Sequence, residues 1–355
     1  MIYQQQSYLP IIFQVDEGII LKVDDFLKRN NLSFSNVLVV SGKSFSKKFA
    51  NQLIEKNSWN SYIIENNGFR DVEKLRQYVN HNRIDLIIGV GGGKVIDTVK
   101  RVSYYTNINH FSVPTIISND GLISPIAVIK NDSGKTESLP GIMPMGVLID
   151  IEIIKESPIT FIRAAAGDIL SNISATNDWV LALQKSNERM NDIAFHLSKS
   201  AANSLVYFRD INLRDKQFLR LVVQGQINSG IAMSLAGTSR PCSGSEHLIS
   251  HAIDFLELSN VLHGTQVASI SLFTLFLQKK IKPIHIQYAQ STEIPLDFTS
   301  FTKGFSNELF NEIIDKAREM RPGRYTILDE YTNEALFDKF IEFQGFLKKN
   351  NRRFK

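Results

Sequence analysis

The chain has 355 residues, 43% of them hydrophobic, with a formal net charge of +4. That balance excludes a disordered chain, and the scatter of Lys and Arg without a long basic run excludes the usual footprint of nucleic-acid or membrane-surface binding. A single cysteine, Cys242, excludes an intrachain disulfide and suits a reducing compartment. The opening MIYQQQSYLPIIF lacks the basic region of a signal peptide, and the longest apolar stretch, VASISLFTLFL, is too short to span a bilayer, so a cytoplasmic protein is expected.

In chain order, NVLVVSG (36–42), SYIIE, IDLIIGVGGG, NHFSVPT, PIAVI and GVLID are short β-rich runs, and amphipathic helical stretches such as DVEKLRQYVNHN separate several of them. Near-continuous apolar strands alternating with helices predict a mostly parallel sheet covered on both faces. After about Asp150 the pattern turns helical, beginning with ITFIRAAAGDILSNISATNDWVLALQ, and stays so to the end. The expected fold is therefore an α/β, Rossmann-like nucleotide-binding domain over 1–154 followed by an all-α domain over 155–355.

DLIIGVGGGKVIDTVKRV places a buried strand, a glycine turn and a helix in succession. Gly91, Gly92 and Gly93 carry no Cβ, so their backbone can approach a pyrophosphate at the positive end of the helix that starts near Lys94. A tight turn with no ligand uses the same glycines, and the spacing matches neither G-x-G-x-x-G nor the P-loop. Asp97 lies one turn into that helix. A second polar loop, SVPTIISNDGLISP (112–125), follows the next strand; Thr115, Ser118 and Ser124 offer hydroxyls there for phosphate or ribose, or for turn formation.

The segment SRPCSGSEHLISHAIDFLELSNVLHG (239–264) holds three of the seven histidines. His247 and His251 are four apart and share a helix face, and His263 opens the next helix. Histidines at i and i+4 can converge on one ion. Asp168, in RAAAGDILSN, is the carboxylate best suited to complete a set, since a buried acid needs a partner or a metal. Spacing alone leaves open which two histidines bind. Arg240 and the SGS turn before His247 are the candidates for holding an anionic substrate group.

Taken together, GVGGGKVID, SVPTIISNDG, AAAGDILSN, AMSLAGTSRPCSGSEHLISHAID and LHGTQVA resemble the glycerol-1-phosphate dehydrogenase family. That family belongs with the iron-type alcohol dehydrogenases, glycerol dehydrogenases and dehydroquinate synthases. The resemblance implies a dehydroquinate synthase-like fold and the interconversion of dihydroxyacetone phosphate and sn-glycerol 1-phosphate. It implies Asp168, His247 and His263 as ligands of one divalent metal, zinc foremost, with nickel or iron as alternatives. His251 and Asp120 would face the substrate. Gly91, Gly92, Gly93, Lys94, Val95, Ile96 and Asp97, with Thr115, Ile116, Ile117, Ser118 and Ser124, would contact NAD or NADP; Lys43 after VLVVSG would suit a 2′-phosphate. The partners expected are a phosphorylated small molecule and further copies of the chain in a homo-oligomer.

Two positions depart from the family pattern: Thr265 replaces the glutamate that usually follows His-Gly, which is expected to loosen the orientation of His263, and Cys242 replaces a small residue. The alternatives are a sugar-phosphate cyclase of the dehydroquinate synthase type, a dehydrogenase of another polyol or polyol phosphate, and a non-catalytic metal and nucleotide binder. Asp168, followed by Ile, Leu and Ser, favours the dehydrogenase over the cyclase.

Overall fold

The computed structural model describes residues 9–351, with the side chains of Asp120, Asn350 and Asn351 outside that description. The chain forms two compact units that meet in sequence at Pro158 and Ile159. The first contains β1 (Ile12–Asp16), α1 (Val23–Arg29), β2 (Val37–Ser41), α2 (Phe45–Asn57), β3 (Asn60–Ile63), α3 (Phe69–His81), β4 (Leu86–Gly91), α4 (Gly93–Thr106), β5 (Asn109–Pro114), β6 (Ile126–Lys130), β7 (Thr136–Pro140), β8 (Gly146–Asp150) and α5 (Ile151–Glu156).

Six of these strands form an all-parallel sheet in the order β1-β8-β5-β4-β2-β3. β2, β4 and β8 are buried at every residue, which is what their unbroken apolar runs require. Successive side chains alternate between two cores: Val37, Val39, Ile88 and Val90 enter one, and Leu38, Val40 and Ile87 the other. β6 departs from expectation. It leaves the parallel sheet and pairs antiparallel with β7 in a separate hairpin, and its Ala127 and Ile129 pack with Val99 and Val102 of α4. Only alternate residues of β6 are buried, as fits a strand with one covered face. β1 and β7 were not expected as strands; β1 is an edge strand with only Ile12 buried, and TESLP in β7 is almost wholly exposed.

The second unit is helical: α6 (Ile159–Ser186), α7 (Asp192–Val206), α8 (Lys216–Ala236), α9 (Ser245–Phe255), α10 (His263–Leu277), α11 (Pro283–Ser291), α12 (Asn307–Glu319) and α13 (Asn333–Asn351). α6 is buried almost continuously from Ala164 to Thr176 and packs against α7, α8, α9 and α10. Phe273 of α10, Phe310 of α12, Phe340 and Phe343 of α13 and Phe298 are all buried, and their rings meet at centroid separations of 5.1–6.4 Å. Among the described residues no helix is long and apolar enough to cross a membrane.

Gly167 sets the approach of α6 to α10. A Cβ there would stand 2.5 Å from the Gly264 carbonyl oxygen and 2.9 Å from Ala268 Cβ. Both obstacles are close to helix backbone and neither can swing aside. Gly167→Val is therefore expected to lower stability by about 2–4 kcal/mol, read as the urea midpoint at unchanged slope. An unshifted midpoint would show that the two helices yield at that contact.

Candidate active site

The two polar loops leave neighbouring strands at the same sheet edge. Gly91 at the end of β4 is in register with Pro114 at the end of β5, and the Thr115 N–H donates to the Gly91 carbonyl at 3.0 Å. Gly91 must be glycine for packing, since a Cβ would fall 2.5 Å from Val95 Cγ2. At Gly92 and Gly93 the nearest atoms to a Cβ lie at 3.7 and 3.9 Å, so nothing in the protein crowds that backbone. Gly92 caps α4, whose first-turn amides point out of the helix end.

Thr115 Oγ1 is buried with no hydrogen-bond partner. An orphaned hydroxyl beside open glycine backbone fits a polar ligand group. Val95, Ile96 and Ile117 are buried in the core, so any contact from them is made by backbone. Ile116 and Ser118 are half-buried, and Lys94 is exposed. Asp120 opens a short 3-10 turn, and its side chain lies outside the described residues. Lys43 pairs at the surface with Glu65 at 2.7 Å.

Lys100, which the sequence did not single out, ties the two loops together. Its ammonium is wholly buried. It donates to the carbonyls of Gly121 and Ile126, the latter at 2.8 Å, and lies 3.5 Å from both Ser124 Oγ and Asp97 Oδ1. Ser124 Oγ lies on the loop beside this ammonium, with the Ile126 carbonyl also at 3.5 Å. Burial pushes the Asp97 carboxyl up to about 6, with Lys100 opposing the rise. If the two loops hold the nicotinamide cofactor that the resemblance implies, Asp97→Ala is expected to raise its KM about tenfold while changing KM for a carbonyl substrate much less. The opposite ordering, in a matrix varying both, would remove Asp97 from the cofactor site.

In the helical unit, Asp168 of α6, His247 of α9 and His263 at the first position of α10 converge. One donor atom from each lies within 4.8 Å of the others. His247 Nε2 is 3.9 Å from Asp168 Oδ1, and the rings of His247 and His263 are 5.0 Å apart. His251, Asp254 and His263 satisfy the same distance. The two groups share His263, and only the first includes two buried members. The His251 ring stacks on His263 at 5.3 Å and 11°.

The partners of the two imidazoles set their tautomers. His247 Nδ1 lies 2.9 Å from Glu246 Oε1; a carboxylate only accepts, so Nδ1 carries a proton, and in the neutral ring Nε2 is then bare. Glu246 is itself fully buried and receives Gly244 N–H and the Ser174 hydroxyl, both at 2.7 Å. Ser250 donates to Gln266 Oε1, so His263 Nδ1 donates to Ser250 Oγ at 3.1 Å and its Nε2 is bare as well. The orientation expected to suffer from Thr265 is supplied instead by Ser250 and Gln266, the latter held by Asp254 and the Val261 carbonyl. Burial first, then the neighbouring imidazoles, holds His263 well below its ordinary range, and burial, His247 and two arginine charges push His251 down to about 3. Both rings are neutral at neutral pH, the state a metal ligand needs. One carboxylate oxygen and two imidazole nitrogens form a donor set suited to zinc or a neighbouring divalent ion, one donor short of a closed tetrahedral site.

Two acids at the start of α9, one on the helix and one packed against it, escaped the sequence reading. Besides Glu246, the buried carboxylate of Asp178 accepts from Ser245 N–H at 2.7 Å and from Ile327 N–H at 3.0 Å. Burial, and then the charge of Glu246, push it up to about 6. Arg240 corrects an expectation. It is 2% exposed, and its guanidinium is committed to Glu188 and the Tyr325 carbonyl, so it has no free face for a substrate.

The iron-containing alcohol dehydrogenase family matches residues 14–158. The glycerol-1-phosphate dehydrogenase (NAD(P)+) of Pyrococcus furiosus is 37% identical over 86% of this chain and 89% of its own length. The protein of the same name from Staphylothermus marinus is 35% identical over 92% and 94%. Among solved structures, a probable glycerol dehydrogenase from Sinorhizobium meliloti 1021 superposes with a TM-score of 0.78 at 20% identity, covering 97% of this chain and 99% of that one, which is a likeness of fold.

Proposed function

Because the chain belongs to the glycerol-1-phosphate dehydrogenase family, we propose that it reduces dihydroxyacetone phosphate to sn-glycerol 1-phosphate with NADH or NADPH, and catalyses the reverse. It is an NAD(P)-dependent oxidoreductase. The first unit would hold the cofactor on the amides of Gly92 and Gly93 and on the unpartnered Thr115 hydroxyl. Asp168, His247 and His263 would hold one divalent ion, with zinc the best match to an oxygen and two imidazole nitrogens. When bound, such an ion supplies Lewis-acid polarisation of a substrate oxygen.

The chain's own residues do the rest. Glu246 and Ser250 keep the protons of His247 and His263 on Nδ1, so that each Nε2 stays available. Neutral His251 beside this set offers a ring N–H to a substrate hydroxyl or to proton relay. Asp120 joins as a substrate contact on the resemblance alone. A homo-oligomer and a cytoplasmic location belong to the same reading. Its strongest support is the donor set itself: one carboxylate oxygen and two imidazole nitrogens, from three helices, lie within 4.8 Å of one another.

The test follows absorbance of the reduced nicotinamide with dihydroxyacetone phosphate and both cofactors, and then the configuration of the product. Net oxidation with formation of the sn-1 phosphate is expected. Turnover of a sugar phosphate with no net oxidation would make the protein a cyclase instead.

A further inference from the structure

Arg321-Pro322-Gly323-Arg324 forms a tight turn after α12. Pro322 stands at its second position, Gly323 at its third with φ +80°, and the Arg324 N–H closes it on the Arg321 carbonyl at 3.1 Å. That is the chemistry of a type II turn, and it sets the two arginines at its paired ends, a few ångströms apart along the backbone. Arg324 is half-buried. Its Nη1 donates to Ser243 O at 2.7 Å and Ser243 Oγ at 3.2 Å, and its Nη2 to Ser239 Oγ at 3.0 Å. These partners are neutral. Among the described residues neither arginine pairs with a carboxylate, in contrast to Arg240, which is matched by Glu188.

Ser243 precedes Gly244, the cap of α9, so the guanidinium rests on the turn from which His247 and His251 follow. Both arginines are close enough to His251 for their charges to act on its ring. Burial and the positive charges of Arg240 and Arg321 press on Arg324 itself, pushing it down to about 10, with Glu188 and Glu246 offsetting only part. A site carrying two unneutralised guanidinium groups, two serine hydroxyls and a helix N-terminus, beside the residue assigned to the substrate, is built for a dianion.

We propose that Arg321 and Arg324 hold the phosphate of the substrate and so select a phosphorylated ketone over its unphosphorylated counterpart. This rests on the proposed activity and names the part of the site that Arg240 was expected to supply.

The experiment compares kcat/KM for dihydroxyacetone phosphate with that for dihydroxyacetone in the wild type, Arg321→Ala, Arg321→Lys and Arg324→Ala. The preference for the phosphorylated substrate is expected to fall by roughly 10-fold or more in each alanine variant, with Arg321→Lys recovering part of it. Arg324 also braces Ser239 and Ser243; the exposed Arg321 therefore gives the variant whose fold is not at risk. Inorganic phosphate is the second probe: it should raise the melting temperature of the wild type and not that of Arg321→Ala. A proportionate fall on both substrates, or an undiminished phosphate shift in both alanine variants, overturns the proposal. If wild type turns over neither ketone, the proposed activity fails, and the phosphate shift still decides whether the arginines bind the anion.

Discussion

Replacing His263 by alanine is expected to leave a folded protein that holds no stoichiometric metal and turns over at least about 10³-fold more slowly. On the proposed assignment the side chain would supply one of three donors, and a site left with a carboxylate and one imidazole falls short of the three that catalytic zinc ordinarily needs. His263 is half-buried at the first position of α10, outside the Phe273 cluster that fixes that helix, so the cost to the metal-free fold should stay within about 1 kcal/mol. Metal analysis of purified protein and steady-state rates read the result. Asp254→Ala and His247→Ala then separate the two groups that share His263. The buried set predicts loss of metal in His247→Ala and retention in Asp254→Ala. The reverse pattern would move the ion onto His251 and Asp254.

Glu246→Gln should be the next most damaging change, and an instructive one because it alters charge with almost no change in shape. The glutamine carbonyl can still accept from Gly244 and His247, and its amide can donate to Ser174, so the buried contacts persist. What disappears is the negative charge against the His247 Nδ1–H that makes Nε2 a stronger donor. Loss of such a partner typically weakens metal binding by about 10–100-fold. Titration against a competing chelator should show a shift of that size, with turnover recovering as metal is raised. Unchanged affinity would reduce Glu246 to a purely structural acid.

The sheet was legible wherever burial covers both faces, because then the strand is an uninterrupted apolar run, as in LIIGVG and VLVVS. It was illegible at the margins. β1 is half-exposed, β7 is polar, and β6 has an apolar run but only one covered face, which sent it to a hairpin and away from the main sheet. In the site, the residue types and their clustering were visible in SGSEHLISH. Helical spacing put His247 and His251 on one face but left the binding pair open; the fold brings His263 to within 5.0 Å of the His247 ring because α10 packs against both α9 and α6.

Glu246 was hidden by its position next to His247. Adjacent helical residues ordinarily point apart, yet in the first turn of α9 the acid reaches forward to His247 and back to Gly244. Arg240 looked available until its partner, Glu188, arrived from 52 positions away. The RPGR turn carried a readable signal, Pro then Gly between two arginines, but nothing in sequence placed it beside α9.

The most direct test strips the purified enzyme with a chelator, verifies by metal analysis that no ion remains, and follows NAD(P)H oxidation with dihydroxyacetone phosphate before and after adding zinc. The three converging ligands predict no turnover in the stripped protein and full recovery at one equivalent per chain, with no recovery in His263→Ala. Undiminished turnover by protein verified as metal-free would contradict the assignment.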